Sequence, residues 1–358
     1  MTDHIDDASR TEAFFALHHR LPRQSPGSDA TTRRLLALAG PLPDRPRALD
    51  LGCGPGRASL LLAAEAGAEV TAVDLHRPFL DELDEAAQAR GLGDRVRTVR
   101  ADMGDLTGPD FPAGSFDLVW AEGSAYRIGF ATAVRDWQRL LAPGGAMMVS
   151  ECVWTTEAPS AGARAFWERN GSLRTLPETT AAAVAAGCAV SAVLLHPDSD
   201  WDTYYVPLAE RVESADPTVP GMEWVLAATR EELAVRREYG AEFGYAAYVL
   251  RPADPVPAGD APVPRGGGPV AASPAHRRQG PGRPWCGRSS MAHGCAARRS
   301  WWCPGTPVTT RASAPYRRPA TRSGPVSRLP DEAVTALVLD DSAPVPVGMI
   351  RNPAAFAV

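Results

Sequence analysis

The sequence predicts an α/β protein with a doubly wound sheet, and three observations carry that expectation. From Ala48 onward, short apolar runs of strand type alternate with longer charged runs of helical period. The first such run ends at Asp50 and leads into glycines at alternate positions, Gly52, Gly54 and Gly56, followed by an Ala- and Leu-rich helical pattern. Two later strand-type runs also end in acids, at Asp74 and Asp102.

Composition bounds what else the chain can be. A length of 358 residues suits one large or two ordinary domains, and 44% hydrophobic residues are enough for a core. The first seven residues are acidic and no apolar stretch follows, which is not the pattern of a signal peptide. The longest apolar run, residues 181–195, is interrupted by Gly187 and falls short of the roughly 18 residues that a membrane span needs. These features read as a cytoplasmic protein with no membrane partner. The cysteines at 53, 152, 188, 286, 295 and 303 show neither C-x-x-C pairing nor a histidine partner at zinc spacing, so neither a metal site nor a disulfide framework is expected.

Taken in order, residues 9–20 suit a short amphipathic helix with Phe14, Phe15, Leu17 and His18 on one side. Prolines and a glycine make residues 21–27 a loop, and Ser28 is placed to cap a helix reaching about Ala39. The first strand, the glycine turn and its helix follow. A second strand spans residues 69–74, and a charged helix over residues 79–90 has Pro78 at its start and Gly91 at its end. Residues 95–101 alternate as a third strand, and residues 116–121 form a fourth after the Gly114-Ser115 turn. A helix over residues 130–141, a Pro143-Gly144-Gly145 turn and a fifth strand at residues 146–150 complete the repeat. Beyond it, Thr175 and Glu178 have capping-box spacing for a helix through Ala186. A sixth strand at 189–195, helices at 201–212 and 221–239, and a last strand at 243–250 follow.

The glycine turn has no side chains to keep a ligand off the backbone, and the free N–H groups of the next helix face that ligand. A dinucleotide fingerprint would need glycine at position 57, where Arg57 stands. The run Asp50-Leu51-Gly52-Cys53-Gly54-Pro55-Gly56 instead resembles the first motif of the class I S-adenosylmethionine-dependent methyltransferases. Phe116-Asp117-Leu118-Val119 and the Leu-Leu-Ala-Pro-Gly-Gly run ending at Gly145 resemble later signatures of that family. The resemblance covers about residues 9–251. It implies a seven-stranded Rossmann-like sheet whose last strand enters antiparallel, one methyltransferase domain over residues 1–251 and S-adenosyl-L-methionine as cofactor.

By the same resemblance, Asp50 would lie near the methionine end of the cofactor, with Gly52, Cys53, Gly54 and Gly56 around ribose and methionine. Asp74, with Leu75 beside it, would take the ribose hydroxyls; the alternative for Asp74 is a helix cap. Asp102 and Met103 would hold the adenine, and Ala121, at the end of the fourth strand where the donated methyl would face the acceptor, is a further cofactor-binding residue. The Pro22-Arg23-Gln24 loop, through Gln24, would cover the cofactor as part of a helical lid, or else be a surface linker. The acceptor would face the ends of the fourth and fifth strands. Glu122 and Tyr126 are the candidate catalytic residues, and Glu151, Trp154, Trp201, Tyr204 and Tyr205 the candidate acceptor pocket, each aromatic also readable as packing.

The expected function is methyl transfer to a small-molecule acceptor by in-line displacement, with nucleic acid not expected as a partner. A cofactor-binding sensor or scaffold without turnover is the alternative, and a nicotinamide-dependent oxidoreductase is disfavoured by Arg57. From Pro252 the sequence turns to Pro, Gly, Ala and Arg, with no Asp or Glu over residues 261–330. It reads as an arginine-rich arm, as a disordered extension, or as translation of a shifted frame in a GC-rich gene, the last being favoured by its Trp and Cys content. Residues 331–358 read as a separate short fragment with one strand near residues 334–339.

Overall fold

The computed structural model describes residues 7–253 and the backbone of residues 337–338. The strands are β1 (Arg47–Leu51), β2 (Glu69–Asp74), β3 (Val96–Arg100), β4 (Phe116–Ala121), β5 (Leu141–Trp154), β6 (Arg174–Thr175), β7 (Cys188–Leu195), β8 (Phe243–Pro252) and β9 (Leu337–Val338). The helices are α1 (Asp7–His18), α2 (Asp29–Leu38), α3 (Arg57–Glu65), α4 (Arg77–Ala89), α5 (Phe130–Trp137), α6 (Ala161–Asn170), α7 (Leu176–Ala185), α8 (Ser199–Ser214) and α9 (Met222–Tyr239).

The sheet runs β3-β2-β1-β4-β5-β8-β7, with β9 beside β7 and the short β6 beside the end of β5. Strands β1 to β5 are parallel, and β8 lies antiparallel between β5 and β7. This is the expected doubly wound, Rossmann-like order with its inserted antiparallel strand. Side chains alternate across each strand, so neighbouring residues enter opposite cores. Leu49, Leu51, Val119 and Met147 pack on one face against Phe130, Val134 and Trp137 of α5. Ala48, Leu118, Trp120 and Met148 pack on the other against Leu35, Leu62 and Leu83 of α2, α3 and α4.

Local signals place several ends. The Ser28 hydroxyl accepts from the Thr31 N–H at 3.1 Å at the start of α2. At α7 both arms of the capping box are made, Glu178 N–H to Thr175 Oγ1 at 3.3 Å and Thr175 N–H to Glu178 Oε2 at 2.8 Å. Two expectations are corrected. The fifth strand begins at Leu141, not 146: the Pro143-Gly144-Gly145 stretch is carried inside β5 as a register irregularity opposite Phe116 and Leu118. The second is α6, unforeseen because Gly162 interrupts a weak pattern, yet capped by Ser160 and buried through Phe166 and Trp167.

A third core caps the carboxyl ends of the parallel strands. It joins Leu17 of α1, Trp167 of α6, Trp201 and Tyr205 of α8 and Val225 of α9 to Phe243 and Tyr245, where β8 begins beside the end of β5. Of the expected arm or extension over residues 252–330, Pro252 still belongs to β8, paired with Cys188 of β7, and Ala253 follows it; the remainder, and the short fragment apart from the two residues of β9, lie outside the described residues.

Candidate active site

A cavity of about 420 Å³ lies over the carboxyl ends of β1, β2 and β4, beneath α1. The position follows from the topology: the strand order reverses between β1 and β4, leaving a crevice at the strand ends. Of the residues assigned from sequence to the cofactor, Gln24, Gly52, Gly54, Asp74, Leu75 and Met103 line it.

The glycines of the turn differ in role. All three have positive φ, 69° at Gly52, 53° at Gly54 and 78° at Gly56. A Cβ on Gly56 would stand 2.2 Å from Leu83 Cδ1 of α4, and one on Gly52 2.4 Å from Ser124 Cβ. Gly56 therefore makes room for protein and lies off the cavity wall. Gly54 faces the cavity, and a Cβ there would meet nothing closer than Gln24 Cγ at 3.4 Å.

Asp74 braces the turn from β2. Its Oδ2 accepts the Gly54 N–H at 2.9 Å and its Oδ1 the His76 N–H at 2.8 Å. Each oxygen keeps a lone pair for a ligand hydroxyl. Burial raises its pKa, against the lowering by these backbone bonds. Asp50 sits behind the turn rather than on the wall, buried, with Oδ2 accepting from the Ser59 hydroxyl at 2.6 Å. Burial pushes its pKa up to about 7, and the charges of Glu122 and Asp74 add to the rise.

Cys53, Ala121 and Asp102 are also off the wall. Ala121 is in the core, and the exposed Asp102 accepts the Gly104 N–H at 2.8 Å, so the base side of the cavity is formed by Ala101 and Met103. The cover comes from α1, through Phe14 and Phe15, and from the loop carrying Gln24, whose Nε2 donates to the His18 carbonyl at 2.9 Å.

A smaller chamber of about 50 Å³ adjoins this cavity, sharing Phe14, Gln24, Gly123 and Tyr126 with it. Tyr126, Trp201, Tyr204 and Tyr205 bring together expected catalytic and acceptor residues in its wall. Burial raises the Tyr126 hydroxyl above its ordinary range. Glu151 and Trp154 do not line the chamber. Glu151 is half-buried on β5, with its pKa pushed up to about 7 by desolvation, and Trp154 packs edge-on to Phe243 in the capping core.

Glu122 is placed differently from expectation. Its carboxylate accepts from Thr32 Oγ1 at 2.8 Å, Trp120 Nε1 at 3.0 Å and Arg23 at 3.2 Å, and lines neither cavity. Arg23 in turn donates to Asp29 at 2.9 Å. The group that faces the chamber in its stead is Glu232 of α9, which sequence reasoning passed over. A signal existed: 232 continues the helical series Met222, Val225, Leu226 and Thr229, so this acid falls on the buried stripe.

Similarity to known proteins agrees with this geometry. The sequence model described as "Methyltransferase domain" matches residues 48–145, the segment holding the glycine turn and the strand ends. Residues 48–145 are thus similar to a methyltransferase domain. The chain is 43% identical over 117 residues to nocamycin O-methyltransferase of Saccharothrix syringae, covering 32% of this chain and 40% of that protein. It is 33% identical over 126 residues to the 27-O-demethylrifamycin SV methyltransferase of Amycolatopsis mediterranei, covering 34% of this chain and 45% of that protein. The matched segment thus spans less than half the length of either relative. A crystal structure of an S-adenosylmethionine-dependent methyltransferase from Geobacter sulfurreducens superposes with a TM-score of 0.60 at 22% identity, over 67% of this chain and 98% of that one. At that identity the likeness shows the class I methyltransferase fold. Among the described residues no helix is long and apolar enough to cross a membrane, and no cluster of His, Cys, Asp and Glu is placed to hold a metal.

Proposed function

We propose that this chain transfers a methyl group from S-adenosyl-L-methionine to a small-molecule acceptor. The observation that carries the reading is the aromatic chamber opening beside the glycine turn, with Gly123 and Tyr126 common to both cavities. The volume over the turn lies in the range of small-molecule sites, roughly 300–1,000 Å³. The site also suits a cation. Beyond its burial, Asp50 has its proton affinity raised by the charges of Glu122 and Asp74 beside the turn, and a positive ligand offsets that repulsion. Asp74 would hold the ribose hydroxyls, the Gly54 backbone would allow close approach, and Met103 and Leu75 would cover the base. When bound, the sulfonium supplies an activated methyl group.

The chain's own part is placement and exclusion of water. Phe14 and Gln24 close the junction between donor and acceptor spaces. Fixing two reactants in line can supply roughly 7–11 kcal/mol of the barrier. The small-molecule acceptors in the names of the two relatives support the same class of acceptor here.

The test is calorimetric titration with S-adenosylhomocysteine together with transfer of labelled methyl into pools of small metabolites. Binding with a labelled product is expected. Binding with no product in any pool would favour a sensor, and no binding would remove the cofactor from the account.

A further inference from the structure

We propose that Glu232 is the proton acceptor of the acceptor chamber, and that the chamber takes an uncharged, hydroxyl-bearing small molecule whose O–H it aligns with the methyl donor. The inference rests on the methyl-transfer reading and adds the acceptor class and the base. Glu232 brings the one carboxyl among the described residues lining the chamber, where no Arg or His is present. A carboxylate or phosphate acceptor would therefore enter as an unpaired buried charge beside a buried acid, which disfavours it. A cationic acceptor would sit next to the donor's own positive sulfur.

Geometry fixes the acid. The Tyr205 hydroxyl donates to Glu232 Oε1 at 2.6 Å, across from α8 to α9, and so orients the carboxyl. The other titratable groups facing it are phenols and a thiol: Tyr126 after β4, Tyr204 of α8, Tyr245 of β8 and Cys152 of β5. All are pushed up by burial, so they stay neutral at pH 7 and leave Glu232 as the group of the chamber wall that exchanges a proton. Its own pKa is pushed up to about 7 by burial, opposed by the Tyr205 hydrogen bond. A base poised at that value accepts a proton at neutral pH and returns it to solvent when product leaves.

In the step itself, the acceptor O–H proton passes to the Glu232 carboxylate, which becomes the neutral acid. The oxygen lone pair forms the new O–C bond, and the C–S bonding pair stays on sulfur, which becomes a neutral thioether. One positive and one negative charge are lost together, so no further reactant is needed.

The test uses the full chain with two isosteric probes, phenol and aniline. Calorimetry on the chain saturated with S-adenosylhomocysteine is expected to detect phenol binding, and labelled methyl is expected to pass to phenol in preference to aniline. Glu232→Gln should lower kcat by about 10²–10⁴-fold while leaving the affinities for phenol and S-adenosylhomocysteine within about threefold. The wild-type rate should rise with pH to an apparent pKa near 7, a limb absent from Glu232→Gln. Tyr205→Phe removes a bond that favours the carboxylate, so it should move that limb upward. If Glu232→Gln does not fold, this shift carries the test. Asp50 and Glu151 are also pushed up to about 7, so the share of the infrared carboxyl signal titrating near neutrality that Glu232→Gln removes reads the group without turnover. Unchanged kcat in Glu232→Gln, preference for aniline, or no phenol binding while S-adenosylhomocysteine binds would each overturn the proposal and leave the cofactor reading standing. Failure of S-adenosylhomocysteine to bind would instead overturn that reading.

Discussion

At Gly56 a backbone requirement and a packing requirement coincide. Its φ of 78° is costly for a residue with a Cβ, and that Cβ would overlap Leu83. Gly56→Ala is expected to cost about 2–4 kcal/mol from strain and overpacking together, seen as a lower urea midpoint. Gly54→Ala has space for its Cβ, so beyond the backbone strain of its φ of 53° its effect should fall on affinity for S-adenosylhomocysteine. Asp50 provides a second residue-scale prediction. Its carboxyl takes up a proton near pH 7 without ligand, and a nearby sulfonium favours the ionised form. Binding of S-adenosylmethionine at pH 6.5 should therefore release more protons than binding of the neutral thioether, measured by calorimetry in buffers of different ionisation enthalpy. Equal release by the two ligands would refute the electrostatic account of the turn.

Among the elements, α1 and the loop behind it are fastened by buried polar contacts rather than by apolar area alone. His18 of α1 hydrogen-bonds the Phe14 carbonyl through Nδ1 at 2.7 Å and the Tyr204 hydroxyl of α8 through Nε2 at 3.2 Å. Burial lowers its pKa from 6.5 to about 4. The unfolded chain then binds a proton that the folded chain refuses, so this contribution is present above pH 6.5 and is lost as pH falls toward 4. The loss is on the order of 3 kcal/mol. Wild type should lose stability more steeply over that window than His18→Gln, by denaturant titration at each pH; parallel curves would contradict it.

The loop itself is held by Arg23 between Asp29 and Glu122, by the Gly27 N–H on the Asp200 carbonyl at 3.0 Å, and by Thr203 on the Gly27 carbonyl. Glu122→Gln weakens a charge-assisted contact to a largely buried arginine. It should cost about 1–3 kcal/mol of stability, as an anchor for the lid.

For the whole molecule, the residues lining both cavities lie between Arg10 and Tyr245, and β8 ends at Pro252. A chain ending after residue 253 is expected to bind S-adenosylhomocysteine with unchanged affinity, and a measured loss would assign a share of the site to the remainder. The sheet supplies the crevice, while the capping core of α1, α6, α8 and α9 supplies the acceptor chamber. Changes in α8, which lines only the acceptor chamber through Trp201, Tyr204 and Tyr205, should alter acceptor selection more than cofactor binding, because Asp74 and the glycine turn hang from β1 and β2.

The sequence by itself determined the alternation of elements, the glycine turn, the caps at Ser28 and Thr175, and Asp74 at its strand end. Each is a local matter, since periodicity, turn residues and capping act within a few positions of the chain. It also named Tyr126, Trp201, Tyr204 and Tyr205, because strand ends and inserted aromatics are visible in one dimension. Only the tertiary structure decided which acids face the cavities. Asp50, Asp102, Glu122 and Glu151 are turned toward Ser59, Gly104, Arg23 and the Cys152 backbone, while Glu232, more than a hundred residues from Glu122, meets Tyr205 at the chamber wall. A carboxyl's role depends on the groups that packing brings to it from distant segments, and that information does not exist until the helices are docked on the sheet.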